Sequence, residues 1–306
     1  MHILQDVVII LLSIAVLGKG AQWLVDSAAK IAMRLGISEL VVGLTIVAFG
    51  TSAPEFGVTI LAAYRKMGDI SVGNIVGSNI FNLGFILGGT AIIHSLKTNK
   101  TVVKRDGSFL LLGTLLLVVF LWDLTLSRVE GFVLFALLLM YLGYLIWKKE
   151  PKDDGVPTEE LRWWDPILLI VGFAMVVGGA HFLVDSAVAL ARVMGVSEWV
   201  IGATIVAAGT SAPEFAISLV AALRGRYGIS VGNLIGSDIF NIFGVLGLAA
   251  MMRELPVHEN ARVNLVVLVL MVVIVLFFMR RKWRISRREG IALVSIGLAR
   301  WIYSFW

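Results

Sequence analysis

Glu55 and Glu214 each sit in the heptapeptide Gly-Thr-Ser-Ala-Pro-Glu-Phe, at Gly50–Phe56 and Gly209–Phe215, within runs apolar enough to lie in a bilayer. A carboxylate at the bilayer centre costs at least ~2.5–3.5 kcal/mol on insertion scales, which marks it as functional. No pair of cationic side chains is expected at matching depth, so a bound cation or a proton is left to neutralise the two acids. Thr51 and Ser52 precede Glu55 by four and three residues, and Thr210 and Ser211 repeat the pattern before Glu214. Where the helical turn persists, those hydroxyls share the carboxylate's face. Pro54 and Pro213 remove a backbone donor and clash with the preceding turn, so both helices are expected to break in mid-membrane. Freed carbonyls there would be oxygen ligands, helped by the negative end of a half-helix.

A second motif, Gly-Asn-x-x-Gly-Ser-x-Ile-Phe-Asn, follows each glutamate, at Gly73–Asn82 and Gly232–Asn241. Ser78 and Asn82 are spaced i,i+4, as are Ser237 and Asn241, so each pair is predicted to present two oxygens on one face. Hydroxyls, amides, carbonyls and two carboxylates form an all-oxygen donor set of the kind calcium takes, about 6–8 oxygens in a flexible cage. The set contains no His and the chain no Cys, which argues against zinc, copper or nickel. Gly, Ser and Thr alone would more often mean helix packing; the duplicated acid and proline do not fit that simpler reading.

These residues need a membrane scaffold, and the composition supplies one. Of 306 residues 58% are hydrophobic and 15% charged, far from a soluble domain's roughly 45–50% and about 25%. The chain is therefore an all-α integral membrane protein. Ten spans are predicted, near 4–29, 37–64, 70–94, 107–124, 130–147, 163–190, 196–223, 229–252, 263–280 and 286–304, with helices 2 and 7 broken. The first is read as a retained span and not a cleaved leader. Alternate loops carry eighteen Lys and Arg against seven, which puts the richer side in the cytoplasm and both termini outside. The net charge of +5 is thus explained by topology, and no nucleic-acid partner is expected. Tryptophans mostly flank the spans, as an interfacial belt does.

A shift of 159 residues lays Gly36–Arg65 on Gly195–Arg224 with 19 identities in 30, and Ser71–Gly88 on Ser230–Gly247 with 11 in 18. Leu24–Ala28 likewise matches Leu183–Ala187. Residues 1–147 and 163–306 are then two five-helix repeats joined by a solvated cytoplasmic linker, 148–162, whose Asp153-Asp154 lacks the spacing of a calcium loop. Because five is odd, the second repeat enters from the opposite side. Inverted repeats with a midplane site at their interface are a secondary-transporter architecture.

The two motif pairs resemble the α-repeats of the sodium/calcium exchangers, in the cation/calcium exchanger superfamily, over about 100 residues. That resemblance implies Glu55 and Glu214 as the shared calcium and sodium carboxylates. It implies Thr51, Thr210, Ser52, Ser211, Ser78 and Ser237 as side-chain or backbone ligands, the carbonyls of Ala48 and Ala207 at sodium sites, and Asn82 and Asn241 at the central one. Long spans 1 and 6 would slide past this core. Potassium-dependent relatives carry Asp at the position of Asn241, so Asn here implies independence from potassium; Thr51 and Thr210 favour sodium over protons as driving ion.

Several residues are set apart from this set. Asp238, where the first repeat has Asn79, points about 100° from Ser237 and is expected in a vestibule or against a helix and not as a ligand. Lys19 is expected to snorkel, Asp26 and Asp185 to sit at helix ends or support gates, and His94 and His181 to be ordinary interfacial or core residues. Two ionised glutamates plus Ca2+ sum to zero and three Na+ to +1, so competition for one cage yields exchange that moves charge. The expected protein is an antiporter with no cofactor, its cargo being Ca2+ and Na+, working as a monomer in the plasma membrane. A calcium/proton antiporter and a cation channel are the alternatives; an intramembrane hydrolase is disfavoured because no serine has a His or Lys partner at depth.

Overall fold

The computed structural model describes residues 2–148, 161–196, 201, 205 and 207–303; the linker segment 149–160 and parts of predicted span 7 lie outside the described residues. The elements are helical apart from four two-residue strands. In chain order, α1 is His2–Leu35, α2 Glu39–Thr51, α3 Ala53–Tyr64, α4 Gly68–Ile93, α5 Val102–Asp123 and α6 Arg128–Lys148. After the linker come α7 (Asp165–Val193), the single turn α8 (Ala207–Thr210), α9 (Ala212–Leu223), α10 (Tyr227–Met252), α11 (Asn260–Lys282) and α12 (Arg287–Tyr303).

Seven of these helices, α1, α4, α5, α6, α7, α10 and α11, are long and apolar enough to cross a membrane; α2 and α3 together make an eighth, bent by 51°. This is a multi-pass membrane protein. The expected count of ten is not reached among the described residues. Helix α12 has 17 residues and spans about 26 Å at 1.5 Å per residue, short of ~30 Å of hydrocarbon. Helix α9 has 12, and much of the stretch before it lies outside the described residues. The long helices overrun expectation: α1 extends to Leu35, which places Asp26 well inside it instead of at its end.

Helix starts follow from local chemistry. Ser127 and Ser286 open α6 and α12, their N–H groups donating to Glu130 (2.8 Å) and Glu289 (2.7 Å), and at α6 the Glu130 N–H donates back to the Ser127 hydroxyl. Pro54 and Pro213 occupy the first turns of α3 and α9, where the missing N–H is not needed. Of four π-helical stretches among the described residues, Gly43–Val47, Asn82–Ile86 and Phe240–Leu246 interrupt α2, α4 and α10 beside the polar motifs, and Val102–Gly107 opens α5. Such bulges cluster at functional sites.

Local geometry recurs at the 159-residue spacing. Gly36 and Gly195, Lys66 and Gly225, and Leu124 and Trp283 share positive φ. Strand β1 (Leu96–Lys97) pairs antiparallel with β4 (Arg284–Ile285), and β2 (Thr125–Leu126) with β3 (Leu255–Pro256), in registers Leu96 to Ile285 and Leu126 to Leu255. Each pairing joins the first half of the chain to the second.

Apolar packing separates into two clusters. One draws on α2, α4, α5, α6, α10, α11 and α12 and contains the aromatic stack of Phe109 with Tyr141 and Phe243. The other is built on α1 and α7 with Val42, Val47, Ile217, Ala221 and Ile229. Within it α1 and α7 touch backbone to backbone: a Cβ on Gly172 would lie 2.8 Å from the Gly20 carbonyl. Lys30 pairs with the buried Asp165 at 3.3 Å across the same two helices.

Candidate cation site

The break in the α2–α3 pair falls at Ser52, whose ψ of 7° ends one helix and whose successor begins the next. Glu55 therefore lies in the first turn of α3, and Glu214 in that of α9. Both carboxylates meet a positive helix end, which stabilises negative charge; the negative end in the broken pair is contributed by α2 at Thr51. The Ala48 carbonyl accepts from Ser52 N (3.1 Å) and from the Thr51 hydroxyl (3.2 Å). The main chain of Ala207 opens the turn α8.

Because the helix breaks, Thr51 and Ser52 do not line up beneath Glu55 as their spacing predicts. The contacts cross between halves instead. The Ser211 hydroxyl donates to Glu55 Oε1 at 3.1 Å, and Thr210 and Ser78 also reach Glu55. Thr51 lies within hydrogen-bonding reach of Glu214, donates to Asn233 Oδ1 (3.1 Å) and is 3.2 Å from the Ser237 hydroxyl. Glu55 is thus met by the serine and threonine of the opposite motif, and Glu214 by the threonine alone.

Helix α10 comes this close to α2 because it carries glycine: a Cβ on Gly236 would sit 2.7 Å from Leu44 Cα and 2.8 Å from Ala48 Cβ. Two asparagines absent from the expected set hold the broken segments. Asn74 Nδ2 donates to the Glu55 carbonyl (3.3 Å) and to Thr59 (3.0 Å). Asn233 Nδ2 does the same to the Glu214 carbonyl (3.3 Å) and Ser218 (2.9 Å). Their signal in the sequence is a shared place 19 residues after each glutamate, inside motifs whose glycines and serines read as packing.

Asp238 is fully buried, which corrects the vestibule option and leaves the helix-facing one. Its Oδ1 accepts from Asn82 Nδ2 at 2.9 Å, its main-chain carbonyl from Asn79 Nδ2 at 3.1 Å, and Asn79 Oδ1 accepts from Asn241 Nδ2 at 3.0 Å. Among the described residues no ion pair reaches Glu55, Glu214 or Asp238, and no three His, Cys, Asp or Glu side chains converge on one point.

Among the described residues, all but one of the buried oxygens without a hydrogen-bond partner collect on these same residues: Ser52 Oγ, Glu55 Oε2, both oxygens of Glu214, Asn82 Oδ1, Asn241 Oδ1 and Asp238 Oδ2, the exception being Thr90 Oγ1. A buried acceptor left unpaired costs about 1–3 kcal/mol, and more when charged. A cluster of acceptors facing no donor is suited to a hard cation. Two cavities border it. One of about 300 Å3 is lined by Asn74, Gly77, Ser78 and Arg300; another of about 360 Å3 by Pro54, His181 and Thr210. His181 stands 3.3 Å from Asp185, both exposed, and His94 meets the Tyr227 hydroxyl at 2.8 Å. Lys19 lies over the Trp23 ring.

Membrane-crossing helices, two buried glutamates at helix breaks and a surplus of oxygen acceptors define a membrane protein organised around cations. The sodium/calcium exchanger protein family matches residues 6–147 and 164–304, and the chain belongs to that family. It is 33% identical to the sodium/calcium exchanger MaX1 of Methanosarcina acetivorans, over 97% of this chain and 98% of that one. It is 32% identical to the inner membrane protein YrbG of Escherichia coli, over 92% and 91%. Among solved structures, the sodium-calcium exchanger NCX_Mj soaked with zero Na+ and Ca2+ superposes with a TM-score of 0.87 at 34% identity, covering 99% of this chain and all of that one.

Proposed function

We propose that this protein is a secondary antiporter that exchanges Na+ for Ca2+ by alternating access, without enzymatic chemistry or a resident cofactor. The reading rests on one observation above the others: seven of the eight buried oxygens without hydrogen-bond partners among the described residues gather here, three of them glutamate oxygens, with no cationic side chain among those residues paired to the acids. Glu55 and Glu214 carry the charge of the cargo site. Thr51, Thr210, Ser52, Ser211, Ser78, Ser237, Asn82, Asn241 and the carbonyls of Ala48 and Ala207 complete its oxygen set. The names of its relatives MaX1 and NCX_Mj favour sodium and calcium as the pair.

The transport architecture is read as ten spans in two five-helix halves of opposite orientation, with both termini outside and one chain sufficient. The recurrence of positive φ and of the strand pairs at 159 residues supports the two halves. The orientation is supported by polar ties between loops assigned to one side, such as Arg226 to Glu39 (2.8 Å) and His258 to Asp69 (2.6 Å). Competition of Ca2+ and Na+ for one pair of carboxylates couples their movements, and an empty cage would leave buried charge uncompensated. Unequal ion numbers make the exchange electrogenic, and Asn241 in place of an acid makes it independent of potassium.

Vesicles loaded with sodium should take up labelled calcium, faster when the potential favours charge movement, with or without potassium. Glu55→Ala and Glu214→Ala should each abolish the uptake. Uptake that follows a pH gradient without sodium would make the protein a calcium/proton antiporter, and uptake without any trans ion would make it a channel. Uptake persisting in either alanine variant would sink the site assignment.

A further inference from the structure

The two central amides are oriented. Asn82 and Asn241 are buried, and each spends its nitrogen end on a partner while its oxygen end has none. The two ends of an Asn amide are nearly equal in size, so packing does not choose between them; the chemistry of the partner does. Asn82 Nδ2 donates to the carboxylate Oδ1 of Asp238, and Asn241 Nδ2 donates to Asn79 Oδ1. Asn79 is itself turned by its Nδ2, which donates to the main-chain carbonyl of Asp238. A carbonyl is an acceptor only, and so is a carboxylate. The chain of bonds is therefore directional: Asp238 anchors it, its side chain fixing Asn82 and its main chain fixing Asn241 through Asn79.

We propose that Asp238 and Asn79 are positioning residues, which hold the Asn82 and Asn241 amides with their oxygens toward the transported ion. This rests on the exchanger reading above and adds to it a role for positions 79 and 238. Reversal of either amide would replace an oxygen ligand by an N–H donor facing a cation. The residue at 238 acts through its acceptor oxygen, so an amide there serves and a hydrocarbon does not.

The test compares Asp238→Asn, Asp238→Leu and Asn79→Leu in sodium-loaded vesicles. Half-saturating Ca2+ and Na+ and the maximal rate are measured for each, together with direct Ca2+ binding to the purified, monodisperse proteins. The two Leu variants should raise half-saturation by about tenfold or more, with maximal rate at saturating ion within about threefold of the parent. Asp238→Asn should stay within about twofold throughout. The inference is overturned if both Leu variants keep the parent's half-saturation. It is equally overturned if Asp238→Asn falls as far as Asp238→Leu, because the charge and not the acceptor would then be operating. If Asp238→Leu yields no folded protein, Asn79→Leu decides alone. An inactive parent chain would count against the exchanger reading, whereas an active parent with indifferent Leu variants removes only the positioning role.

Discussion

Asn233 has more to hold than its counterpart Asn74. Both tie the carbonyl of their glutamate to the helix that follows, but only Asn233 also accepts a hydroxyl from the other half of the chain, that of Thr51. Asn233→Leu therefore removes three buried hydrogen bonds, each contributing about 0.5–1.5 kcal/mol, and Asn74→Leu removes two. The expected outcome is a lower thermal midpoint in detergent for both, with the larger drop for Asn233→Leu and a loss of Ca2+ affinity beside it; equal drops would show that the Thr51 contact contributes nothing. Glu55 and Glu214 were legible in the chain because an acid after proline in an apolar run has no bland explanation. Asn74 and Asn233 were not, since an amide among glycines and serines reads as helix packing. Neither could a local window reveal that Ser211 would face Glu55: that contact spans 156 residues.

At the scale of elements, the breaks at Pro54 and Pro213 were legible, because proline acts within one turn. The π-helical stretches had no such local signal, since they answer to packing against another helix. So does the crossing of α10 over α2. A side chain at Gly236 would press on Leu44 Cα, a backbone atom that cannot yield. Gly236→Val should destabilise by about 1–3 kcal/mol through overpacking and weaken Ca2+ binding, because it pushes Ser237 away from Thr51. Gly18 is the control: a Cβ there meets nothing within 4 Å. Gly18→Ala should leave binding unchanged and raise stability by up to about 1 kcal/mol through helix propensity. Thermal unfolding and Ca2+ titration of the two variants separate packing at the site from helix formation in general.

For the whole molecule, the polar ties are unevenly distributed. Arg224 grips Asp26 through both carboxylate oxygens at 2.6 and 2.7 Å, which joins α1 to the turn after α9. The positions 159 residues away are Arg65 and Asp185, and among the described residues no ion pair joins them. In the alternating-access cycle proposed above, these would be ties for opposite states. An exposed pair contributes at most about 1 kcal/mol, so losing one should shift the balance up to about fivefold. The chain has no cysteine, so His181→Cys, beside the cavity with Pro54 and Thr210, is a single-site reporter. Arg224→Gln should slow labelling at that position and Arg65→Gln should speed it; changes of the same sign would refute the paired roles.

The strand pairs β1–β4 and β2–β3 staple the two halves of the larger cluster at two places, while α1 and α7 stand outside both staples. What α1 turns toward the rest is mostly alanine, at Ala21, Ala28, Ala29 and Ala32. Helices that seat large side chains into holes must lift apart before they can move. A face of methyl groups has low ridges and shallow grooves, so one body can glide along the other with little of its packing undone. In the alternating access proposed above, the α1–α7 pair would serve as a plain bearing on a stapled frame, and bulk added at Ala28 would act as friction before it acted as instability.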